Sequence, residues 1–226
     1  GYHCSPPNPD YTVSSVNSPA TIIAGQTVAL SGVVSNSLTA NSSTLTATRL
    51  RIDLGNNGSY DAVTTVPNTT NPTSTLVAGG TETESWTWTP STANSAHVGT
   101  HGFEICADTP ANALTESDEA NNCRTGTFSV GPSVDITMDG SSGPLTKNLG
   151  DIPTIAWTAM GATNCTAGGD WTGQTVTPPT GSVNLPAYSV SRAYTYTVQC
   201  FAGAVAGNTD TLVVNVPAGT MSITLS

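Results

Sequence analysis

The sequence predicts an all-β protein made of two β-sandwiches in series. Three observations favour this class: short runs in which apolar and polar residues alternate, turn-forming residues between these runs, and no stretch with a helical period and caps. Ser, Thr, Asn and Gly supply most polar positions of the 226-residue chain, of which 9% is charged. Such a composition is typical of short strands joined by turns, with uncharged outer faces.

The first sandwich is predicted over residues 11–131. Six strand-like runs follow one another at short spacing, namely YTVSSV, QTVALSGVV, ATRLRIDL, ETESWTWT, GFEICAD and GTFSV. In the third run, alternation predicts that Leu50, Ile52 and Leu54 point into the core. It predicts that Arg49, Arg51 and Asp53 point outward. Gly131–Pro132 then ends the pattern, because proline cannot donate to a sheet ladder.

The second sandwich is predicted over residues 132–217, from the runs TIAWTAM, GSVNLP, AYTYTVQC and TDTLVVNV. The Pro-rich residues 1–10 are predicted to form an extended arm. Residues 218–226 are predicted to be a linker and a terminal strand, Met221–Leu225, whose sequence echoes the segment that opens the second sandwich. This strand is either the start of a further domain or a strand lent to another subunit, because a lone exposed strand is an unpaired edge.

The charge balance excludes some partners. Acidic residues outnumber basic ones by 15 to 5, which gives a formal net charge of −10. Nucleic acid and anionic membranes are not expected partners, since both attract clustered Lys and Arg. No apolar run is long enough for direct membrane insertion. The chain lacks a charged-then-apolar start, so any signal peptide of the secreted, extracellular protein that we expect has already been removed.

Alternation assigns a face to three of the five cysteines. Cys106 and Cys123 fall opposite the apolar residues of their strands, so both are predicted to point outward and, if the strands pair, to form a disulfide. Cys200 falls on the apolar face of AYTYTVQC and is predicted to be buried and bonded to Cys165. Each bridge would stabilise the fold by roughly 3–4 kcal/mol and implies an oxidising compartment. Cys4 is left as a free thiol or an intermolecular disulfide.

The segment GTHGFEICADTPANALTESDEANNCRTGTFSV resembles the C-terminal half of the CARDB domain, the cell-adhesion-related domain of bacterial surface proteins. That family has a W-T-P strand and an acidic loop between two strands. The matching residues are Trp88, Thr89, Pro90, Asp108, Glu116, Asp118, Glu119, Asn121 and Asn122. The start of the chain is similar to the family's first two strands, so the resemblance covers about residues 10–131. The two cysteines that flank the loop are not a general family feature.

The second sandwich resembles a bacterial immunoglobulin-like surface domain. The matching residues are Trp157, NCTAGGDWTG and YTVQC. This resemblance implies two tandem immunoglobulin-like β-sandwich domains with antiparallel sheets, and a Cys–Cys pair across the second sandwich. Both families imply extracellular modules on microbial surfaces, and neither implies catalysis. No motif of a serine hydrolase, zinc protease, phosphate-binding loop or dinucleotide site appears, so we do not expect an enzyme.

The loop LTESDEANNC concentrates acid in a chain that is otherwise poor in charge. Glu116, Asp118 and Glu119 offer hard oxygen ligands and are candidates for a Ca²⁺ site. The alternative is a structural connector, in which Asn121 and Asn122 cap turn amides while the acids stay hydrated. The family pattern is satisfied by the connector alone. No other cofactor is expected.

A second polar loop, Ile52–Asp61, also invites comparison with a calcium loop. Its polar residues include Asp53, Asn56, Asn57 and Asp61. The loop lacks the D-x-D-x-D-G spacing and the closing Glu that such loops require. Asn57-Gly58 between two strand-like runs predicts a hairpin instead.

The tryptophans allow two interpretations. Trp86 and Trp88 share one face of a strand and form either part of the core or a flat sugar-binding platform. Core is favoured, because two large aromatic side chains supply much of a small core's burial. Trp171, in a Gly-rich segment, either covers the predicted Cys165–Cys200 bridge or stays exposed for a partner.

The histidines and glycosylation triplets are weak signals. His97 and His101, and His3 beside Cys4, lack a third ligand or an orienting carboxylate, so they do not predict a metal site. The N-x-S/T triplets begin at Asn41, Asn57, Asn68 and Asn164. In a chain rich in Asn, Ser and Thr, these triplets show that glycosylation is possible.

These observations lead to an extracellular structural or adhesive protein. The sharper hypothesis is the repeating subunit of a pilus-like surface filament, a homopolymer assembled head-to-tail by strand exchange. The Pro-rich arm, Cys4 and the terminal strand motivate it. The alternative is a stalk or carbohydrate-binding module of a larger surface adhesin or secreted hydrolase, with surface glycans as partners.

Overall fold

The computed structural model describes residues 7–37, 39–62, 66–109 and 112–219. Within these ranges the chain is built from β-strands and one short 3-10 helix, Ser95–His97. No helix in the described residues combines the length and apolar character needed to cross a membrane. The all-β prediction is therefore confirmed.

The strands are short and numbered in chain order. The strands that precede Pro132 are β1 (Tyr11–Asn17), β2 (Thr21–Ile23), β3 (Val28–Asn36), β4 (Thr46–Asp53), β5 (Asn68–Thr73), β6 (Thr81–Trp88), β7 (Gly99–Cys106) and β8 (Cys123–Gly131). Those that follow are β9 (Asp135–Met138), β10 (Leu145–Thr146), β11 (Thr154–Thr158), β12 (Asn164–Gly169), β13 (Thr175–Val176), β14 (Thr180–Asn184), β15 (Arg192–Ala202) and β16 (Val205–Val216).

The described residues fall into two compact units. One is drawn from Gly1–Ile22, Gln26–Pro90 and Thr100–Ser129, and the other from Ile23–Gly25, Ser91–Gly99 and Val130–Ser226. The predicted domain limits at residues 131 and 217 stay predictions.

The first unit has a three-stranded sheet of order β1-β3-β6 and a five-stranded sheet of order β2-β8-β7-β4-β5. Its pairs are antiparallel where registers are defined, as between β3 and β6 and between β4 and β7. The largest buried side chains include Leu30, Leu50, Ile52, Phe103 and Phe128. Because side chains alternate along a strand, each contributing strand turns one apolar row toward this core.

The prediction for the C-terminal end of β4 was wrong at two residues. Leu50 and Ile52 are buried as predicted, but Leu54 follows the end of the strand and is half-buried. Asp53 was predicted to point outward and is instead 4% exposed. Its carboxylate accepts the backbone N–H groups of Asn57 and Gly58 at 2.9 and 2.7 Å. Burial is tolerated because both oxygens are satisfied by the turn that they organise.

The predicted Asn57-Gly58 hairpin has a longer loop than expected. Strands β4 and β5 pair antiparallel, but residues 54–67 separate them. Strand β5, with the sequence NTTNPT, was not predicted, because only Thr73 of its residues is buried and no apolar alternation marks it. Pairing with β4 makes this segment a strand, since propensity in sheets is subordinate to context.

The second unit has a three-stranded sheet of order β14-β11-β9 and a five-stranded sheet of order β10-β16-β15-β12-β13. Its core is one cluster of buried apolar and aromatic residues. Trp171 is 1% exposed, and its ring centroid lies 5.7 Å from that of Trp157. The indole therefore belongs to the core, and the alternative in which it stays exposed for a partner is wrong.

Both predicted disulfides are present, and each joins neighbouring strands of one sheet. Cys106 of β7 is bonded to Cys123 of β8, with Cα atoms 4.1 Å apart. Cys165 of β12 is bonded to Cys200 of β15, its direct register partner, with Cα atoms 4.0 Å apart.

Two details of the cysteine predictions were wrong. The Cys165–Cys200 bridge does not span the second sandwich, because its strands are neighbours in the same sheet. Cys106 does not point outward into water and is 3% exposed, although Cys123 is exposed. Cys106 lies on the strand between β8 and β4, so neighbouring strands flank it on both sides. Cys4 lies outside the described residues.

Candidate functional site

The candidate site is the acidic loop between β7 and β8, of which the structure describes residues 107–109 and 112–122. The loop is closed at its base twice, by the disulfide between Cys106 and Cys123 and by a backbone bond. In that bond the N–H of Ala107 donates to the carbonyl oxygen of Asn122 at 3.0 Å. The ends of the loop are thus fixed covalently and by hydrogen bonding.

Glu116 is the most buried of the predicted acids and is 7% exposed. Its Oε1 accepts the backbone N–H of Tyr11, at the start of β1, at 2.5 Å. Its Oε2 accepts a hydrogen bond from Nδ2 of Asn122. The carboxylate therefore ties the acidic loop to the first strand of the unit.

Asp108 was not among the predicted ligands, although it is 1% exposed and lies in the same loop. Its oxygens accept the backbone N–H groups of Ala113 and Leu114 at 2.9 and 3.0 Å. The residue has a φ of 48°, in the left-handed region that Asp tolerates better than most residues. The sequence indicated Asp108 only as one of the residues that match the family pattern, and not as a metal ligand.

Glu119 and Asp118 are both exposed, but they make different contacts. Glu119 accepts the backbone N–H of Glu116 at 3.0 Å and Nδ2 of Asn112 at 3.3 Å. Asp118 accepts only a local bond in the loop, from the N–H of Ala120 at 2.9 Å. These bonds stabilise the loop as a connector would, but the acids accept the turn amides, a role that we had given to Asn121 and Asn122.

The structure brings together a different set of acids from the one predicted. One carboxylate oxygen each of Asp108, Glu116 and Glu119 lies within 4.8 Å of the other two. Asp118 is not part of this group. We call these three residues the carboxylate cluster.

The carboxylate cluster has an unbalanced charge. Burial raises the pKa of Glu116 above its usual range, and the charges of Asp108 and Glu119 raise it further. The hydrogen bonds from Tyr11 and Asn122 act in the opposite direction. The three salt bridges among the described residues all lie elsewhere, at Arg51–Glu104, Lys147–Asp139 and Arg192–Asp170.

The loop Ile52–Asp61 uses its polar groups internally. Asp53 caps the two amides described above, and Asp61 accepts the N–H of Leu54 at 2.7 Å. Asn57 donates to the Leu54 carbonyl and accepts the N–H of Ser59. These bonds belong to a turn, as the hairpin interpretation expected.

The aromatic and imidazole side chains of the first unit are packed inside it. Trp86 and Trp88 are 7% and 8% exposed, so the core interpretation is confirmed. His101 is fully buried between Trp88 and Phe128, with ring centroids 6.0 and 5.6 Å away, and its Nδ1 accepts the N–H of Gly55.

The remaining histidines are His97 and His3. His97, which belongs to the second unit, is 7% exposed, and its Nδ1 accepts the N–H of Ser91 at 2.9 Å. Neither His97 nor His101 is part of a metal-binding group among the described residues. His3 lies outside those residues.

The four glycosylation triplets differ in accessibility. Asn41, Asn57 and Asn164 are exposed, whereas Asn68, the first residue of β5, is half-buried. The exposed side chains are available to a modifying enzyme, and modification of these residues stays a prediction.

The second unit carries a surface cleft with an aromatic and charged wall. The rings of Tyr188 and Tyr194 are 4.7 Å apart. The guanidinium of Arg192 lies 3.7 Å from the centre of the Tyr194 ring and is bonded to Asp170 at 2.5 Å. These residues line the cleft together with Val190, which is exposed.

Comparison with known proteins matches the first part of the chain to one family. The model of the CARDB family matches residues 8–126. A CARDB domain from Pyrococcus furiosus, crystallised in complex with di-metal ions, is 22% identical, covers 54% of this chain and 94% of its own, and has a TM-score of 0.40. No curated protein matches the sequence.

Two other solved structures are more distant. A cycloisomaltooligosaccharide glucanotransferase from Paenibacillus sp. is 16% identical, covers 62% of this chain and 16% of its own, and has a TM-score of 0.36. The IG1 and IG2 domains of DIP-gamma are 12% identical, cover 95% of this chain and 100% of their own, and have a TM-score of 0.32. These likenesses concern the fold alone.

Proposed function

This chain belongs to the CARDB family, and from that premise we propose that it is an extracellular structural or adhesive protein without catalytic activity. CARDB is a surface- and adhesion-related, non-catalytic domain family. The two disulfides support an extracellular location, because such bonds persist in oxidising compartments.

One observation carries this proposal: the buried carboxylates of the acidic loop hold that loop in place. Glu116 and Asp108 are buried, and their oxygens accept hydrogen bonds from the protein. A catalytic pair of carboxylates requires a cleft that gives the two groups separate protonation roles. Loops fixed in this way suit a surface module that must keep its shape.

Surface labelling of intact cells tests the location. An antibody against the purified protein is expected to label intact cells of the source organism, and external protease is expected to remove the signal. An internal protein of known location serves as the control for cell integrity. Labelling that appears only after cell lysis would contradict the proposal.

The finer form of the proposal is a filament subunit that assembles head-to-tail by strand exchange. Its support is in the sequence: the Pro-rich arm of residues 1–10, Cys4, and the strand-like Met221–Leu225. A strand from one subunit would complete a sheet of the next, with main-chain hydrogen bonds providing the affinity. Such a contact does not close on itself and therefore grows a fibre.

The described sheet edges differ in how well they would accept an added strand. In the first unit, β1 has an irregular register between Val13 and Ser15, β5 contains Pro72, and β2 has three residues. Bulges, prolines and short lengths all discourage edge-to-edge pairing. In the second unit, β14 ends its sheet, has five residues without proline or charge, and exposes Val183 by 38%. The remaining edges in the described residues are also poor acceptors, because β6 carries Glu82 and Glu84, β9 has four residues, and β10 and β13 have two each. We therefore propose β14 as the acceptor edge.

Light scattering of the purified chain, with and without reductant, tests assembly. A large elongated species is expected, and its loss on reduction would implicate an intermolecular disulfide such as one through Cys4. Val183→Lys is expected to block assembly, because a charge on an edge strand opposes pairing. The matched control is Val213→Lys, at a position of β16 that is 42% exposed but lies on an interior strand of its sheet.

Each result separates the alternatives. A monomer in both buffers would exclude the self-assembling subunit and leave the broader adhesive role. Equal assembly by Val183→Lys and Val213→Lys would exclude β14 as the acceptor. Deletion of residues 1–10 or 218–226 without effect on assembly would exclude strand exchange through that segment.

The second candidate is a stalk or carbohydrate-binding module of a larger protein. The cleft beside Tyr194 favours it, because Arg192 and Asp170 place hydrogen-bonding groups next to an aromatic wall. Surface glycans are the expected ligands. Sugar-dependent change in intrinsic fluorescence, abolished by Arg192→Ala and retained by Val213→Lys, would support this role. If no glycan changes the fluorescence, the carbohydrate-binding role is excluded.

A further inference from the structure

We propose that the carboxylate cluster of Asp108, Glu116 and Glu119, together with the side-chain carbonyl of Asn122, binds one Ca²⁺ ion. The three carboxylate oxygens lie within 4.8 Å of one another. Two oxygens that share a Ca²⁺ ion at 2.3–2.6 Å can be at most about 5 Å apart. The acids are therefore spaced as ligands of a single ion, and Asp108 takes the place that the sequence had given to Asp118.

The charge of the cluster requires compensation. Asp108 and Glu116 are 1% and 7% exposed, so little water screens them from each other. The described salt bridges contribute no Lys or Arg to the cluster. Like charges held together away from water disfavour their ionised forms. Either a proton or a cation must offset this charge, and three oxygen donors in one place suit a hard divalent cation.

Asn122 supplies the second, independent observation. The residue is 8% exposed, and its Nδ2 donates to Oε2 of Glu116, so its amide group lies beside the cluster. The Oδ1 atom of that amide is buried and has no hydrogen-bond partner. A buried carbonyl without a partner is unfavourable, and Asn carbonyls are common Ca²⁺ ligands. An ion shared with Glu116 would satisfy this oxygen.

Existing hydrogen bonds leave room for the ion. Each carboxylate oxygen of Asp108 and Glu116 accepts one N–H group, from Ala113, Leu114, Tyr11 and Asn122. A carboxylate oxygen has two lone pairs, so each can bind a metal and keep its hydrogen bond. Glu119 is exposed and provides access from solvent. Its carboxylate accepts the backbone N–H of Glu116, which holds the Glu119 side chain close to the other two acids.

The expected affinity is modest. The four protein ligands leave the rest of the coordination shell to water. We therefore expect a Kd on the order of 10⁻⁴–10⁻³ M, in the range of extracellular calcium modules. Mg²⁺ should bind more weakly, because it demands near-ideal octahedral geometry and retains its waters.

Isothermal titration calorimetry of the full chain with CaCl₂, after removal of metal with a chelator, tests the site. The comparison uses Glu119→Gln against Asp118→Asn. Both variants remove one negative charge from an exposed acid of the same loop, but only Glu119 belongs to the cluster. We expect about tenfold weaker Ca²⁺ binding for Glu119→Gln and an unchanged Kd for Asp118→Asn. MgCl₂ and KCl titrations control for charge screening.

Two results would overturn the proposal. One is the absence of Ca²⁺ binding by the wild type up to about 10 mM, well above the expected range of Kd. The other is equal weakening in Glu119→Gln and Asp118→Asn, which would show general attraction to an acidic loop.

Asn122→Asp provides a second variant if Glu119→Gln fails to fold. It adds a fourth carboxylate beside Glu116, so its thermal midpoint should be lower than that of the wild type in chelator and should recover with Ca²⁺. A midpoint that does not respond to Ca²⁺ would also exclude the site.

Discussion

The backbone N–H of Tyr11 donates to Oε1 of Glu116 at 2.5 Å, although 105 positions separate the two residues. This bond fastens the first strand of the CARDB unit to the loop before its last strand. A charged acceptor makes such a bond stronger than a neutral pair would. The family's acidic loop therefore has a structural role in this chain.

Removal of this acceptor should destabilise the first unit. Glu116→Ala leaves the N–H of Tyr11 and the amide of Asn122 without their partner, and each orphaned buried group is unfavourable. We expect a loss of about 2–3 kcal/mol in the free energy of unfolding, measured by urea denaturation in the presence of chelator.

Asp118→Ala is the matched control for that experiment, because Asp118 is an exposed acid of the same loop. It should change stability by less than about 0.5 kcal/mol. Equal effects of the two substitutions would show that net charge, and not the bond to Tyr11, sets the stability of the loop.

Truncation of Trp171 should be severe in the second unit. Trp171→Ala removes a fully buried indole that packs against Trp157. A cost of about 3–5 kcal/mol is expected from lost burial and the cavity left behind. Near-UV circular dichroism during urea unfolding measures it. Val190→Ala, at a position that is 54% exposed, should be nearly neutral; a mild effect of Trp171→Ala would mean that the cluster repacks.

Removal of the disulfide that closes the longer loop should cost more stability than removal of the other disulfide. Cys165–Cys200 spans 35 positions and Cys106–Cys123 spans 17. On the chain-entropy account, replacement of each pair by alanine costs about 3–4 kcal/mol, with the longer loop costing about 0.6 kcal/mol more. Denaturation of the two double variants measures this difference. A larger loss for the shorter loop would point to native contacts of Cys106 and not to chain entropy.

Glu84 should give the first unit a pH dependence. Burial raises the pKa of Glu84 above its usual 4.5, and the charge of Glu82 raises it further, against the bond from Thr73. A raised folded-state pKa means that the folded protein holds the proton more tightly than the unfolded chain does. Stability is therefore lost as pH rises from the unfolded pKa through the folded one.

Comparison of wild type with Glu84→Gln isolates this contribution. The stability of the wild type relative to the variant should fall as the pH rises above the unfolded-state pKa of Glu84 and level off above its raised folded-state pKa. Chemical denaturation at several pH values measures it. A constant difference across that range would show that Glu84 has the same pKa in both states.

Local pattern determined much of this protein. Alternation in RLRIDL and in AYTYTVQC placed Leu50, Ile52 and Cys200 in the core, because a strand exposes every second side chain to the same face. The same rule placed Trp86 and Trp88 inside. The pattern of acids and asparagines around Glu116 identified the family, since it marks one loop between two strands.

Tertiary structure alone decided which distant groups meet. Asp53 and Asp108 are buried because backbone amides of their own loops turn to meet them, which a two-residue period cannot indicate. Strand β5 exists through its pairing with β4, and Cys165 meets Cys200 within one sheet because β12 and β15 are neighbours. The carboxylate cluster likewise depends on how residues 107–109 and 112–122 are arranged. Strand pattern is a short-range property of the chain, whereas loop path and strand order follow from the packing of the whole unit.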